Sequence, residues 1–152
     1  MRIELDVNGG KVSGEIDADT TLQKFLRAQG FYSVKCGCET TNCGACTILL
    51  DGRPVLSCCT LCLRAQGHRI ETLEGLREEA GQIAAFIADE GADQCGFCGP
   101  GFIITAVALF REDPFPDDRK IKDYLAGNLC RCSGYEGQMR GLIRYRDSRS
   151  GS

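Results

Sequence analysis

Ten of the eleven cysteines of this chain stand in short runs, Cys36-Gly37-Cys38, Cys43-Gly44-Ala45-Cys46, Cys58-Cys59, Cys95-Gly96-Phe97-Cys98 and Cys130-Arg131-Cys132, and Cys62 follows the third. Thiols this close together pair as disulfides, hold metal or pack as small apolar groups. The amino terminus, Met1 to Asp6, alternates polar and apolar residues without the apolar run of a secretion signal. A reducing cytoplasm is therefore the expected setting, and metal ligation the expected use of the clustered thiols. A single histidine, His68, stands against eleven cysteines, which leaves mixed Cys/His zinc sites and the two-histidine Rieske arrangement short of ligands. The expected metal is bound almost purely by sulfur.

The rest of the chain is read around that constraint. Residues 2 to 7 alternate like a half-buried strand, Asn8-Gly9-Gly10 supplies a turn, and Lys11 to Ile16 alternates again, which predicts a hairpin. A helix should follow, capped by Asp19, Thr20 or Thr21, with Leu22, Phe25 and Leu26 on its apolar face and Gly30 at its end. Val34 to Cys46 has little to pack and much that bends, and reads as a metal-binding loop. A second hairpin is expected from Thr47 to Leu50, turning at Asp51-Gly52 and returning over Pro54 to Cys58, with a further strand over Arg69 to Leu73.

Between Gly75 and Gly81 the composition turns charged and flexible, and strand signals give way to helical spacing. The domain boundary is placed there, giving residues 1–74 and 75–152. Ile83, Phe86 and Ile87 mark one helix, and Phe102 to Phe110, apolar nearly all round, marks a buried second, closed by Pro114 and Pro116. Ile121, Tyr124 and Leu125 suggest a third, and Met139, Leu142 and Ile143 a fourth. The apolar stretch at Phe102 is about half the ~20 residues a membrane-spanning helix needs. With a net charge of -3 and no basic patch, neither nucleic acid nor membrane insertion is expected.

Cys38, Cys43 and Cys46 form C-x4-C-x2-C, and Cys58 follows after eleven residues. This is the spacing of plant-type 2Fe-2S ferredoxins, in which three thiolates converge from one tight loop and a fourth comes from a neighbouring strand. Glycines let backbone amides turn toward the sulfurs. A four-cysteine zinc site is the alternative, but zinc motifs pair two C-x2-C knuckles and this loop does not. Cys95 and Cys98 form C-x2-C before the buried helix, and Cys130 and Cys132 form C-x-C before the last one. Both pairs are expected at helix amino termini, where free N–H groups and the helix dipole favour anionic sulfur. By that chemistry alone, the second set fits zinc as well as iron-sulfur.

Gln94-Cys95-Gly96-Phe97-Cys98-Gly99-Pro100-Gly101 and Gly127-Asn128-Leu129-Cys130-Arg131-Cys132-Ser133-Gly134-Tyr135 resemble two signature stretches of the xanthine oxidase family of molybdenum hydroxylases, and Cys43 to Gly52 resembles a third. The similarity runs in order along nearly the whole chain. It implies an α+β protein, a β-grasp, ferredoxin-like domain (1–74) followed by a four-helix cluster-binding domain (75–152). It implies two 2Fe-2S clusters, one on Cys38, Cys43, Cys46 and Cys58, the other on Cys95, Cys98, Cys130 and Cys132. The chain would be an electron-transfer subunit. It would pass electrons from molybdopterin in a large partner subunit, where the substrate chemistry resides, toward a FAD-binding medium subunit or another acceptor. Gln94 and Cys132 match positions that hydrogen-bond the pterin; Asn128 and Ser133 are expected to shape turns.

The sequence departs from the family at Thr40-Thr41-Asn42, where glycine-rich residues are usual, and at Gly99, where threonine is common. Cys36, Cys59 and Cys62 are left over and are expected as buried small hydrophobes. His68 is expected at the surface, Asp117 to Lys120 as a solvated loop and helix start, and Ser148 to Ser152 as a disordered tail. A ferredoxin-like carrier working alone and a zinc-stabilised interaction module are the rival readings.

Overall fold

Asn8 and Asp51 each adopt positive φ and each precede a glycine that does the same, which gives two hairpins the tight turn that matches strand twist. The computed structural model describes residues 1–150. The first turn joins β1 (Arg2–Val7) to β2 (Gly10–Glu15), and the second joins β3 (Thr47–Leu50) to β4 (Arg53–Leu56). Strand β5 (Arg69–Glu71) runs parallel to β1 and antiparallel to β3, so the sheet order is β2-β1-β5-β3-β4. Alternation along β1 buries Ile3, Leu5 and Val7. Against that face lies α1 (Leu22–Ala28), with Leu22, Phe25 and Leu26 pointing inward. Thr21 is the cap, its hydroxyl accepting from the Lys24 N–H at 3.4 Å, and Gly30 takes the left-handed conformation beyond the helix end. A mixed sheet grasping one helix is the expected β-grasp.

Two expected strands are shorter than their sequence suggests. Strand β4 stops at Leu56, and Ser57–Cys59 forms a 3-10 turn. The Ser57 hydroxyl donates to the Cys46 carbonyl at 2.7 Å, and its backbone N–H also reaches that oxygen at 3.4 Å. Those bonds fold the chain back, so Cys58 comes from a turn and not from a strand. Strand β5 stops at Glu71 because Thr72 bonds the Asn8 side chain in both directions, at 2.9 Å each.

The second half consists of α2 (Arg77–Asp89), α3 (Gly99–Glu112), α4 (Asp118–Tyr124) and α5 (Glu136–Arg149), the four expected helices. Helix α3 is the hub, burying Phe102 and the whole run from Ile104 to Phe110. Helices α2 and α5 approach closely at Gly141, where an added Cβ would lie 2.9 Å from the Ile87 Cα. Tyr145 meets the rings of Phe110 and Phe86 edge-on at 4.9 and 5.6 Å. Leu49 of β3 packs into this helical core.

The charged stretch expected to be flexible is mostly helix. Helix α2 starts at Arg77, and Glu78 and Glu79 lie in its first turn, where the dipole favours negative charge. The expected disordered tail is also helical through Arg149, with Ser150 as the cap; Gly151 and Ser152 lie outside the described residues.

Candidate metal centres

The loop between α1 and β3 is pinned by buried Val34 and by the Lys35 N–H donating to the Ala45 carbonyl at 3.1 Å. Gly44 has φ 75°, and the following amide, of Ala45, points at the Cys43 sulfur at 3.4 Å. The backbone amides of Asn42 and Thr40 turn toward Cys38 and hold its thiol down to about 6. Cys46 is buried beside β3, and burial pushes Cys58 up to about 12. The four thiols fall into neighbouring pairs, Cys38 with Cys43 and Cys46 with Cys58.

The second set shows the same two-by-two arrangement. Cys95 and Cys132 are exposed, with sulfurs 3.5 Å apart, and Cys98 neighbours Cys130. Burial pushes Cys98 up to about 11. Burial also raises Cys130, but the Ser133 hydroxyl and amide, 3.2 and 3.3 Å from its sulfur, bring it down to about 7. Gln138, on the first turn of α5, donates its side-chain N–H to the Cys98 sulfur at 3.7 Å. Cys98 caps α3 as expected, but Cys130 and Cys132 do not sit at the start of α5. Ser133, Gly134 and Tyr135 intervene, and Tyr135, with φ 71°, accepts the Cys130 N–H on its hydroxyl at 2.9 Å.

The two loops touch. The Leu129 N–H donates to the Cys43 carbonyl at 2.9 Å, one residue before Cys130. Buried Asn128 donates to the Gly44 carbonyl at 3.4 Å. Lys35 reaches the Gly96 carbonyl at 3.2 Å and lies 4.8 Å from the centre of the Phe97 ring. One concavity is lined from both loops, by Cys43 and Ala45 and by Cys95, Phe97, Cys98, Cys130 and Cys132. A second, of ≈220 Å³, lies behind Cys95, Cys98, Cys130 and Cys132 and includes Gln94 and Gln138.

Lys35 and Gln138 carry no motif that singles them out in the sequence; Tyr135 closes one of the signature stretches, which gave it no role of its own, and Asn128 and Ser133 do more than shape turns. A polar Gln138 on an otherwise packed helix face is the one signal available. The spare cysteines divide: Cys62 is fully buried, as expected, whereas Cys36 and Cys59 are exposed. His68 is half-exposed and pairs with Asp51 at 2.6 Å, and Asp117 caps α4 by accepting the Lys120 N–H at 2.7 Å.

Donor sets made only of sulfur, arranged as two neighbouring pairs, fit a two-iron cluster in which each iron takes two thiolates. Among the described residues, no three Cys, His, Asp or Glu side chains converge as a single-ion site would require. The chain matches the 2Fe-2S iron-sulfur cluster binding domain over residues 5–66 and the 2Fe-2S binding domain over residues 72–142. It is 42% identical to a probable xanthine dehydrogenase subunit of Bacillus subtilis (strain 168), over 99% of this chain and 88% of that protein. The chain belongs to the small 2Fe-2S subunits of the xanthine oxidase family. A nicotinate dehydrogenase small FeS subunit of Eubacterium barkeri is 40% identical over 95% of this chain and 94% of its own length. The crystal structure of quinoline 2-oxidoreductase from Pseudomonas putida 86 superposes with a TM-score of 0.89 at 36% identity, over 99% of this chain and 97% of that one. As a member of this family, the chain is the small iron-sulfur subunit of an oxidoreductase complex with larger partner subunits. No helix among the described residues is long and apolar enough to cross a membrane.

Proposed function

We propose that this chain relays electrons, in the cytoplasm, from a molybdopterin site in a large partner subunit toward a FAD-binding subunit or another acceptor. Cys38, Cys43, Cys46 and Cys58 hold one 2Fe-2S cluster in residues 1–74, and Cys95, Cys98, Cys130 and Cys132 hold the other in residues 75–152. Gln94 and Cys132 face the pterin. When bound, such clusters supply one-electron redox capacity over a wide span of potentials.

The observation that carries this reading is the contact between the two cysteine loops. A carrier with two centres needs a short, fixed path between them, and the Leu129 N–H to Cys43 carbonyl bond joins the two loops through one hydrogen bond. Cys95 and Cys132 lie at the surface, together with the exposed side chains of Phe97, Leu129 and Tyr135. An apolar rim around accessible sulfur suits docking to a partner with water excluded. The amides and hydroxyl turned toward Cys38 and Cys130 favour the thiolate, the form that binds iron.

Iron and sulfide counting with low-temperature EPR of the reduced, anaerobically purified chain tests it. About four irons and two distinct rhombic signals are expected for two clusters; zinc, or a single cluster, overturns the assignment. Cys36→Ser, Cys59→Ser and Cys62→Ser should each keep about four irons, whereas Cys43→Ser and Cys130→Ser should each lose about two. Loss of iron from any of the first three would overturn the ligand choice. Co-purification with a large molybdenum protein is expected for an obligate subunit, and purification alone with both clusters would favour the free-standing carrier.

A further inference from the structure

Gln138 is 3% exposed, on a face of α5 otherwise committed to packing through Gly137, Gly141, Leu142 and Tyr145. Its Oε1 is buried with no hydrogen-bond partner among the described residues. An unpaired buried amide oxygen costs stability, and Leu or Met would fill the same volume without that cost. Among the described residues the side chain's one polar contact is its Nε2–H, donated to the Cys98 sulfur at 3.7 Å. The reverse amide orientation would aim an oxygen at a thiolate, so only this one gives the sulfur a donor. Nothing in the packing of α5 calls for an amide here.

We infer that Gln138 is a potential-setting residue for the second centre, its N–H to Cys98 stabilising the reduced form and raising the reduction potential. The inference rests on the ligand assignment proposed above. Reduction adds one electron, taken from the external reductant, and so adds one unit of negative charge to a group whose sulfurs are already anionic. A hydrogen bond to ligand sulfur is stronger in the reduced state, and the equilibrium shifts toward it. Ser133 acts on Cys130 from within the loop. Gln138 acts on Cys98 from a helix, so its hold is fixed by the packing of α5 on α2 and α3. Among the described residues, exposed Cys95 receives a side-chain donor only from Cys132, and Cys132 receives none.

The test is a dithionite-poised EPR titration of the full chain loaded with iron and sulfide, in wild type, Gln138→Met, Gln138→Leu and Gln138→Glu. The signal lost in Cys130→Ser marks the second cluster. With about four irons retained, Gln138→Met and Gln138→Leu should lower its reduced-to-oxidised ratio at fixed potential by about tenfold, which is about 59 mV for a one-electron couple. The first cluster should not move. In its ionised form Gln138→Glu keeps the shape, removes the donor and adds charge, so its shift, read above the pH at which the buried carboxyl titrates, should be at least as large; it decides the question if the apolar variants lose iron. An unchanged second-cluster potential in a variant with full iron overturns the inference. A wild-type chain with about two irons and one signal would instead defeat the ligand assignment, and this inference with it.

Discussion

Thr41 has φ 58°, a left-handed backbone that a β-branched residue adopts only under constraint. The constraint is local, because the Asn42 and Thr40 amides on either side are turned toward Cys38. Thr41→Gly should raise the free energy of chemical denaturation by about 0.5–1 kcal/mol, the relieved strain outweighing the extra backbone entropy of glycine. Gly44 is the opposite case. A Cβ there would meet the Gly127 carbonyl at 2.5 Å and the Asn128 amide at 2.7 Å, at a φ of 75°. Gly44→Ala should cost about 2–4 kcal/mol, and the Leu129 amide, which bonds Cys43 across that contact, should exchange with solvent faster in hydrogen-exchange measurements. The glycines of the cysteine stretches thus have two uses: some free the backbone, and Gly44 also lets a second loop approach.

At the scale of elements, most of the architecture was legible. Both hairpins were marked by Asn8-Gly9 and Asp51-Gly52, whose left-handed turns the structure contains, and all four helices of the second half followed from apolar spacing. The ends of elements were less legible, because side chains distant in sequence decide them. Ser57 ends β4 through the Cys46 carbonyl, and Asn8 ends β5 through Thr72; neither partner is visible from local propensity. The same holds for the stretch before Gly81. Its charge reads as a linker, but Glu79 bonds Arg111 of α3 at 2.6 Å while Arg111 also reaches Glu71 of β5 at 3.1 Å. Arg111 therefore ties sheet to helices, and both carboxylates hold its guanidinium charged, Glu79 first. Arg111→Ala should cost about 1 kcal/mol, a modest figure because the side chain is a third exposed, as read from urea midpoints.

For the whole molecule, several carboxylates set the acid limit. His68 beside Asp51 holds that carboxyl below the usual range; Arg140 and Arg144 do the same for Glu90, and Lys120 for Asp113. Burial raises Glu74, but the Ser33 and Thr72 hydroxyls and the Ser33 amide outweigh it. Groups with lowered folded-state values give stability that is complete above the ordinary carboxylate range and lost as pH falls through the lowered values. Through these carboxylates the thermal midpoint should therefore fall as pH drops below about 4.5, in calorimetry at low salt. The chain by itself determined the cysteine clusters, their spacing, the hairpin turns and the helix count, because each follows from residue type at short range. Only the tertiary structure decided that the two cysteine loops lock through Gly44, Asn128 and Leu129, and that Ser133 and Gln138 supply donors to sulfur. The Asn128 to Gly44 bond alone joins residues 84 positions apart, and the partners in these contacts are chosen by how the sheet and the helices pack.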